Sequence, residues 1–374
     1  MIYGSRTMRV GLVLGAGGIQ GGAWLTGGLH ALATETGWDP AEADYFVGTS
    51  AGSMIGALCA SGVPPWFMVA HSRGESFEEV VDAHGQPASE ADRAAGAVFR
   101  LHNGRPPIGP GSWRLAFRSI SRPDRHTPAA LVSGWLPKGI VSTDPLKAQV
   151  RRVVPDGWSP HPNLWIVACD YATGERVAFG RDGAPSTDLA DAVAASCAIP
   201  GFYHPVTIGG RRYVDGGMYS ASNLDILRGL DLDLAICLNP TSTLHPIRAL
   251  NPREWHRFVT HRPSGRRLGT EAKRLRADGT EVVLIQPTGD DLAVMGTNLM
   301  STKRRNEVIA VATRTVTEQL RAPEVRELLA GLPEGAPEKI HRPDERPSRW
   351  PKLRDLAERI RGRRARPQPD TTAA

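Results

Sequence analysis

Tyr45-Phe46-Val47-Gly48-Thr49-Ser50-Ala51-Gly52 is the stretch that decides the fold. Three residues of strand character run into a G-x-S-x-G pentapeptide, and a run of small and apolar residues follows at 54–60. Strand, sharp turn and helix form the setting in which such a serine serves as a nucleophile. The turn strains the serine backbone, Gly48 and Gly52 let strand and helix approach closely, and the hydroxyl projects at a helix N-terminus that favours developing negative charge. The pentapeptide recurs by chance in many chains, so its flanks carry the weight.

Towards the N-terminus the same unit occurs once more. Arg9-Val10-Gly11-Leu12-Val13-Leu14 reads as a buried strand, followed by Gly15-Ala16-Gly17-Gly18-Ile19-Gln20-Gly21 and an apolar helix through Leu25, Leu29 and Leu32. Two such units in succession predict an α/β fold, a central, mostly parallel sheet with helices on both faces as a three-layer sandwich. Towards the C-terminus the composition changes over residues 64–137. Pro, Gly, Arg and Trp are frequent there, and short amphipathic stretches alternate with turns, as in a helical cap inserted into the fold. Strands resume at 164–168, with a hairpin partner at 176–179, and again at 211–214, 234–238 and 282–285. Helices are expected at 189–197 and, packing across the sheet, at 291–320. There is no internal repeat. Residues 8–330 read as one catalytic domain and 333–374 as a basic, Pro/Arg-rich, mobile tail with a short helix at 352–361.

The chain has 374 residues, 41% hydrophobic and 22% charged, ordinary values for a globular protein. No run of about 18 apolar residues suggests a membrane span. Residues 1–9 lack a secretory signal, so the cytosol is the expected compartment, and Met8 is a candidate start. Cys59, Cys169, Cys197 and Cys237 form no CxxC pair, sit among apolar neighbours and read as reduced packing residues rather than a zinc site. The net charge of +6 includes basic clusters around Arg266-Arg267, at Lys303-Arg304-Arg305 and near the end of the chain. Solvated surface accounts for these better than nucleic acid, for which no recognition signature is present. Trp66-Phe67-Met68 and the segment 113–120 combine aromatic, aliphatic and arginine residues as a lipid interface does, although ordinary packing of a cap uses the same residues. Peripheral association with a membrane is thus one expectation; oligomeric state is left open.

The glycine-rich loop after the first strand can hold a phosphate or a tetrahedral oxyanion on its backbone N–H groups. A dinucleotide site would need G-x-G-x-x-G, but from Gly15 the last position is Gln20, and the second strand ends in Gly-Thr-Ser rather than an acidic residue. The oxyanion reading fits better because the nucleophile lies on the next strand. For the base, His245, His256 and His261 follow Ser50 in triad order, but none ends a strand in a glycine-flanked loop. Val214-Asp215-Gly216-Gly217 does end a strand with a carboxylate, although Asp-Gly-Gly without context is simply a turn.

Four blocks in order, the glycine-rich turn, the Ser50 elbow, Ala195-Ser-Cys-Ala-Ile-Pro-Gly-Phe-Tyr-His-Pro205 and Asp215-Gly216-Gly217, resemble those of the bacterial patatin-like phospholipases. Residues 136–146 look like that family's central region. The resemblance implies a Ser–Asp dyad, in which Ser50 attacks an ester carbonyl and Asp215 takes its proton directly. It implies an oxyanion and substrate site at Gly17, Gly18, Ile19, Gly21 and Ala51, with Gly48, Gly52, Gly216 and Gly217 as motif glycines. No cofactor and no metal are implied, and the substrate would be a lipid or other acyl ester. Hydrolysis, acyl transfer to an alcohol and non-catalytic lipid binding all fit such a chain. The loop departs from the family's Gly-Gly-Gly-x-Arg/Lys-Gly at Ala16 and Gln20. Ala16 is expected still to offer an N–H, and Gln20 to lack a cation that could attract phosphate.

Overall fold

A computed structural model of the chain describes residues 7–75, 99–102, 108–121, 127–243 and 252–342, with the backbone alone described at 119, 128, 131 and 252–262. The described strands are β1 (Val10–Leu14), β2 (Tyr45–Thr49), β3 (Leu164–Asp170), β4 (Arg176–Phe179), β5 (Val206–Ile208), β6 (Arg211–Asp215), β7 (Leu234–Leu238) and β8 (Glu281–Ile285). They make one mixed sheet in the order β5-β6-β3-β2-β1-β7-β8, with β4 also on β3. The centre, β3-β2-β1-β7-β8, is parallel throughout. Every residue of β1, β3 and β7 is buried, as expected of parallel strands covered on both faces, which is why they read as unbroken apolar runs.

The helices are α1 (Gly18–Thr36), α2 (Ala51–Ala60), α3 (Pro65–Ser72), α4 (Trp113–Ser121), α5 (Pro128–Trp135), α6 (Asp144–Arg151), α7 (Leu189–Ser196), α8 (Pro252–Ala277), α9 (Gly289–Met295), α10 (Arg305–Leu320), α11 (Pro323–Leu329) and α12 (Pro337–Ile340). Leu12, Leu14, Phe46 and Ile236 pack with residues of α1, α2, α7 and α10 on one face of the sheet. Val13, Val47, Val167 and Cys237 meet Leu224, Leu227, Leu268 and Leu275 on the other. The result is the expected three-layer α/β sandwich, and all four cysteines are buried and free. Among the described residues no helix is long and apolar enough to cross a membrane.

Three expectations need correction. The helix placed at 291–320 is two helices, α9 and α10, because Gly296 leaves the helical path at φ 71°, ψ −161°. The stretch Trp66-Phe67-Met68 belongs to α3, where Trp66 and Met68 are buried; Trp66 Nε1 donates to the carbonyl of Glu338 at 3.0 Å. It is core rather than cap or lipid interface. The tail also begins later than residue 333. Ile340 is buried, and Lys339 Nζ donates to the carbonyl of Gly62 at 3.0 Å, so α12 is packed onto the body of the fold. Residues 343–374, including the helix expected at 352–361, lie outside the described residues, as do parts of the cap.

One feature of the sheet sets the site. Residues 166–169 of β3 pair with β4 along one edge. The other edge is divided: 164–167 pair in parallel with β2, and 168–170 pair antiparallel with β6. Thr49 lies opposite Val167 and Asp215 opposite Ala168. The end of β2 and the end of β6 therefore meet head to head on consecutive residues of one strand.

Candidate active site

Ser50 occupies that junction. It leaves β2 at φ 51°, ψ −119°, a left-handed conformation that costs a non-glycine residue of order 1–3 kcal/mol. The surroundings hold it there. Its N–H donates to Ser196 Oγ at 2.9 Å, and Ser196 Oγ donates in turn to the carbonyl of Val167 at 2.6 Å. Its carbonyl accepts from Ser53 N at 2.8 Å and Ser53 Oγ at 2.6 Å, starting α2, and from Cys197 Sγ at 3.2 Å. A Cβ at Gly52 would run into the carbonyl of Leu14, so glycine lets α2 press against the end of β1, where Gly52 N donates to Gly15 O at 3.2 Å. Gly48 faces the backbone of Ser53 in the same turn.

Asp215 is 3% exposed. The Ser50 side chain lies beside it. Oδ1 accepts the N–H of Gly217 at 2.7 Å. Burial pushes its pKa up from 3.8 to about 6, against the opposing pull of Ser50 and of the Gly217 N–H. The carboxylate is thus a stronger base than one in water, yet ionised at neutral pH. Gly216 is pressed against the carbonyl of Val167, where a Cβ would collide, and Gly217 lies beside Ala16. Among the described residues no imidazole contacts either group; His245 and the side chains of His256 and His261 lie outside the described residues.

The loop after β1 closes the other side. Gly15 N donates to Leu238 O at 2.9 Å and Ala16 N to Ala221 O at 2.8 Å. Ala16 therefore does not offer its N–H to a ligand, contrary to expectation, because the loop commits it to the segment after Asp215-Gly216-Gly217. Gly17 precedes α1 and accepts from Gly21 N at 2.9 Å, and both pack on Pro240. The N–H groups of Gly17, Gly18, Ile19 and Ala51 have no acceptor among the described residues, as first-turn amides of a helix commonly do not. Gln20, 1% exposed, serves the architecture instead of a ligand, with Nε2 donating to the carbonyls of Ser301 at 2.7 Å and Lys303 at 2.6 Å. It stitches α1 to the segment leading into α10.

Gly18, Ile19, Ser50 and Ala51 open on a cavity of about 90 Å³. Its walls are mostly apolar, with Met54, Ile55, Leu146, Ile199 and Met300, and Arg305 is the cation among them. The first turns of α1, α2 and α10 all border this space, each adding the partial positive charge of a helix N-terminus. The structure thus brings together Ser50, Asp215, Gly18, Ile19 and Ala51, with Gly17, Gly21, Gly48, Gly52, Gly216 and Gly217 shaping the backbone behind them. Among the described residues no cluster of three or more His, Cys, Asp or Glu could hold a metal ion.

Sequence reasoning missed three supports. Ser196 sits in the 195–205 block, with nothing in the block to mark it as the acceptor for Ser50. Asn223, at φ 52°, donates from Nδ2 to Thr49 Oγ1 at 3.0 Å. Glu271, 3% exposed on α8, accepts from Ser220 Oγ, Ser222 Oγ and Leu224 N at 2.6–3.0 Å and pairs with Arg267, fixing the loop after Gly217. No local pattern marks any of them, because, Arg267 apart, the partners named lie 29 to 174 residues away.

The family model for patatin-like phospholipase matches residues 12–228, more than half of the chain, and takes in both Ser50 and Asp215. A crystal structure of VipD from Legionella pneumophila is similar over 87% of this chain and 67% of its own, with 14% sequence identity and a TM-score of 0.40. On the family match, the chain belongs to the patatin-like phospholipases.

Proposed function

We propose that this chain is a lipid acyl hydrolase, a phospholipase A, lysophospholipase or related carboxylesterase, working through Ser50 and Asp215 with no metal or cofactor. The observation that carries the reading is the strained Ser50 beside a buried carboxylate whose pKa is raised to about 6. Ser50 Oγ attacks the ester carbonyl carbon as its proton passes to Asp215. The tetrahedral oxyanion is met by free N–H groups of the glycine loop, at Gly17, Gly18 and Ile19, and of Ala51. Collapse expels the alcohol, which leaves with the proton from Asp215. Water then attacks the acyl-serine, gives its proton to Asp215, and the acid departs as the proton returns to Ser50.

Residues 8–330 would constitute the catalytic domain. The enzyme would act in the cytoplasm, meeting lipid at a membrane surface, and the apolar lining around Ser50 suits an acyl chain. The test is p-nitrophenyl ester turnover together with fluorophosphonate labelling in wild type, Ser50→Ala and Asp215→Ala. Both variants are expected to lose nearly all turnover while staying folded, and Ser50→Ala to lose the label. Full turnover by Asp215→Ala would overturn the dyad, and an unlabelled, inactive wild type would overturn the hydrolase.

A further inference from the structure

Among the described residues, every large apolar side chain that is exposed falls between residues 99 and 140. Three of them form one ridge. Trp113, Phe117 and Ile120, at i, i+4 and i+7 of α4, are 56%, 61% and 67% exposed, and the Trp113 and Phe117 rings stack at 5.8 Å. The helix is not loose. Leu115 and Ala116 on its other side are buried, and Leu115 packs with Cys169, Tyr171 and Val214 of the sheet. Gly134 of α5 lies directly against the backbone of Leu115 and Ala116. Arg114 and Arg118 flank the ridge, both exposed.

Beside Trp113 lies a cleft of about 730 Å³, apart from the Ser50 cavity, and among the described residues every charged one lining it is basic. Arg114, Lys138 and Arg212 line it with His102 and His204, whose rings stack at 3.9 Å and 11°. Among the described residues no Asp or Glu lines it. Arg212 Nη1 donates to the carbonyl of Gly111 at 3.0 Å, which fixes the guanidinium in place. Burial, then the charges of His102, Lys138 and Arg212, hold His204 below its ordinary pKa. Tyr203 lines the Ser50 cavity and the next residue, His204, lines the cleft.

We propose that this face of the cap is a docking surface for a bilayer containing anionic phospholipid, with the α4 ridge entering the apolar boundary and the basic cleft receiving a lipid phosphate. A ridge of Trp, Phe and Ile flanked by arginines is the composition of a helix lying in a membrane interface. The cations select the anionic lipid. A second copy of the chain is a poor occupant, because two such faces would set like charges against each other. The docking stands apart from ester cleavage and is tested without it.

Sedimentation of the full chain with phosphatidylcholine vesicles, and with the same vesicles carrying phosphatidylglycerol, reads both parts. Wild type is expected to pellet with the anionic vesicles far more than with the neutral ones. Arg114→Gln with Lys138→Gln is expected to weaken that preference roughly 10–30-fold, the effect of two cations near an anionic surface. Trp113→Ala, Phe117→Ala and Ile120→Ala together are expected to abolish pelleting with either vesicle, while circular dichroism and turnover of a soluble p-nitrophenyl ester stay at wild-type values. Equal pelleting of wild type with both vesicles, or wild-type pelleting by both variants, overturns the proposal. So does a dimer that forms without vesicles and is broken by the triple substitution. An inactive wild type that still prefers anionic vesicles would sink the hydrolase reading and leave this one standing.

Discussion

Asp215→Asn should make the protein more stable at neutral pH while destroying its proposed activity. The amide has the shape of the carboxylate; its oxygen can still accept from Gly217 N, and its nitrogen can donate to the Ser50 hydroxyl. What it removes is a buried charge. The native carboxyl titrates at about 6 rather than 3.8, because burial opposes ionisation. At about 1.4 kcal/mol for each pH unit, this difference is worth about 3 kcal/mol. The sign follows from the raised native pKa. Below about pH 4 both the native and the unfolded chain hold the proton, and ionisation costs the fold nothing. Between about 4 and 6 the unfolded chain ionises first, so the wild type loses stability as pH rises, and above 6 the loss is complete. Urea unfolding of wild type and variant at about pH 3 and about pH 8 measures it: the variant should gain about 3 kcal/mol on wild type between the two. In parallel, wild-type kcat/KM should rise with pH through an inflection near 6, and the variant should lose at least about a hundredfold at every pH. A stability gap that is absent at pH 8, or that does not change with pH, would refute the view that Asp215 is a desolvated base.

Ser196→Ala leaves the buried N–H of Ser50 without its acceptor. It should cost about 1–3 kcal/mol in unfolding free energy and slow fluorophosphonate labelling of Ser50, both absent if Ser196 does not hold the elbow. Gly52→Ala drives a methyl into the Leu14 carbonyl; a loss of about 3 kcal/mol or more, or insoluble expression, is expected, and a Tm within a degree or two of wild type would contradict the close approach. Arg305→Gln removes the cation from the Ser50 cavity. Turnover of a phospholipid should fall roughly tenfold more than that of a neutral p-nitrophenyl ester of the same acyl chain, as read from kcat/KM for each.

The chain announced its sheet because burial on both faces leaves no room for polar alternation: β1, β2, β3, β7 and β8 stand out as apolar runs. β6 was legible for the turn that follows it. The three-residue β5 was not, since so short a strand has no period of its own and exists through its pairing with β6. α8 was missed because it is rich in arginine, contains Pro263, and touches the core through a few residues such as Leu268, Ala272 and Leu275. The single helix expected over 291–320 came from reading through Gly296, whose positive φ breaks a pattern that is apolar on both sides. Ser50 was legible from its strand–turn–helix setting, whereas Asp215, in a turn that means little alone, was legible only through the resemblance of the four ordered blocks. Their meeting was not, since a strand edge shared by two partners leaves no mark in either partner's sequence. Nor was the fate of Ala16, whose N–H was claimed by a carbonyl 205 residues downstream.

The dependence of the elbow on distant segments has a consequence for the nascent chain. Ser50 is synthesised 165 residues ahead of Asp215, its proposed partner, and the loop beside it is tied down by Leu238 only when β7 settles next to β1. A partly made polypeptide therefore carries the proposed nucleophile without the means to use it. Lipid cleavage would begin only once the sheet is whole, and catalytic competence becomes a readout of finished folding rather than of any single segment.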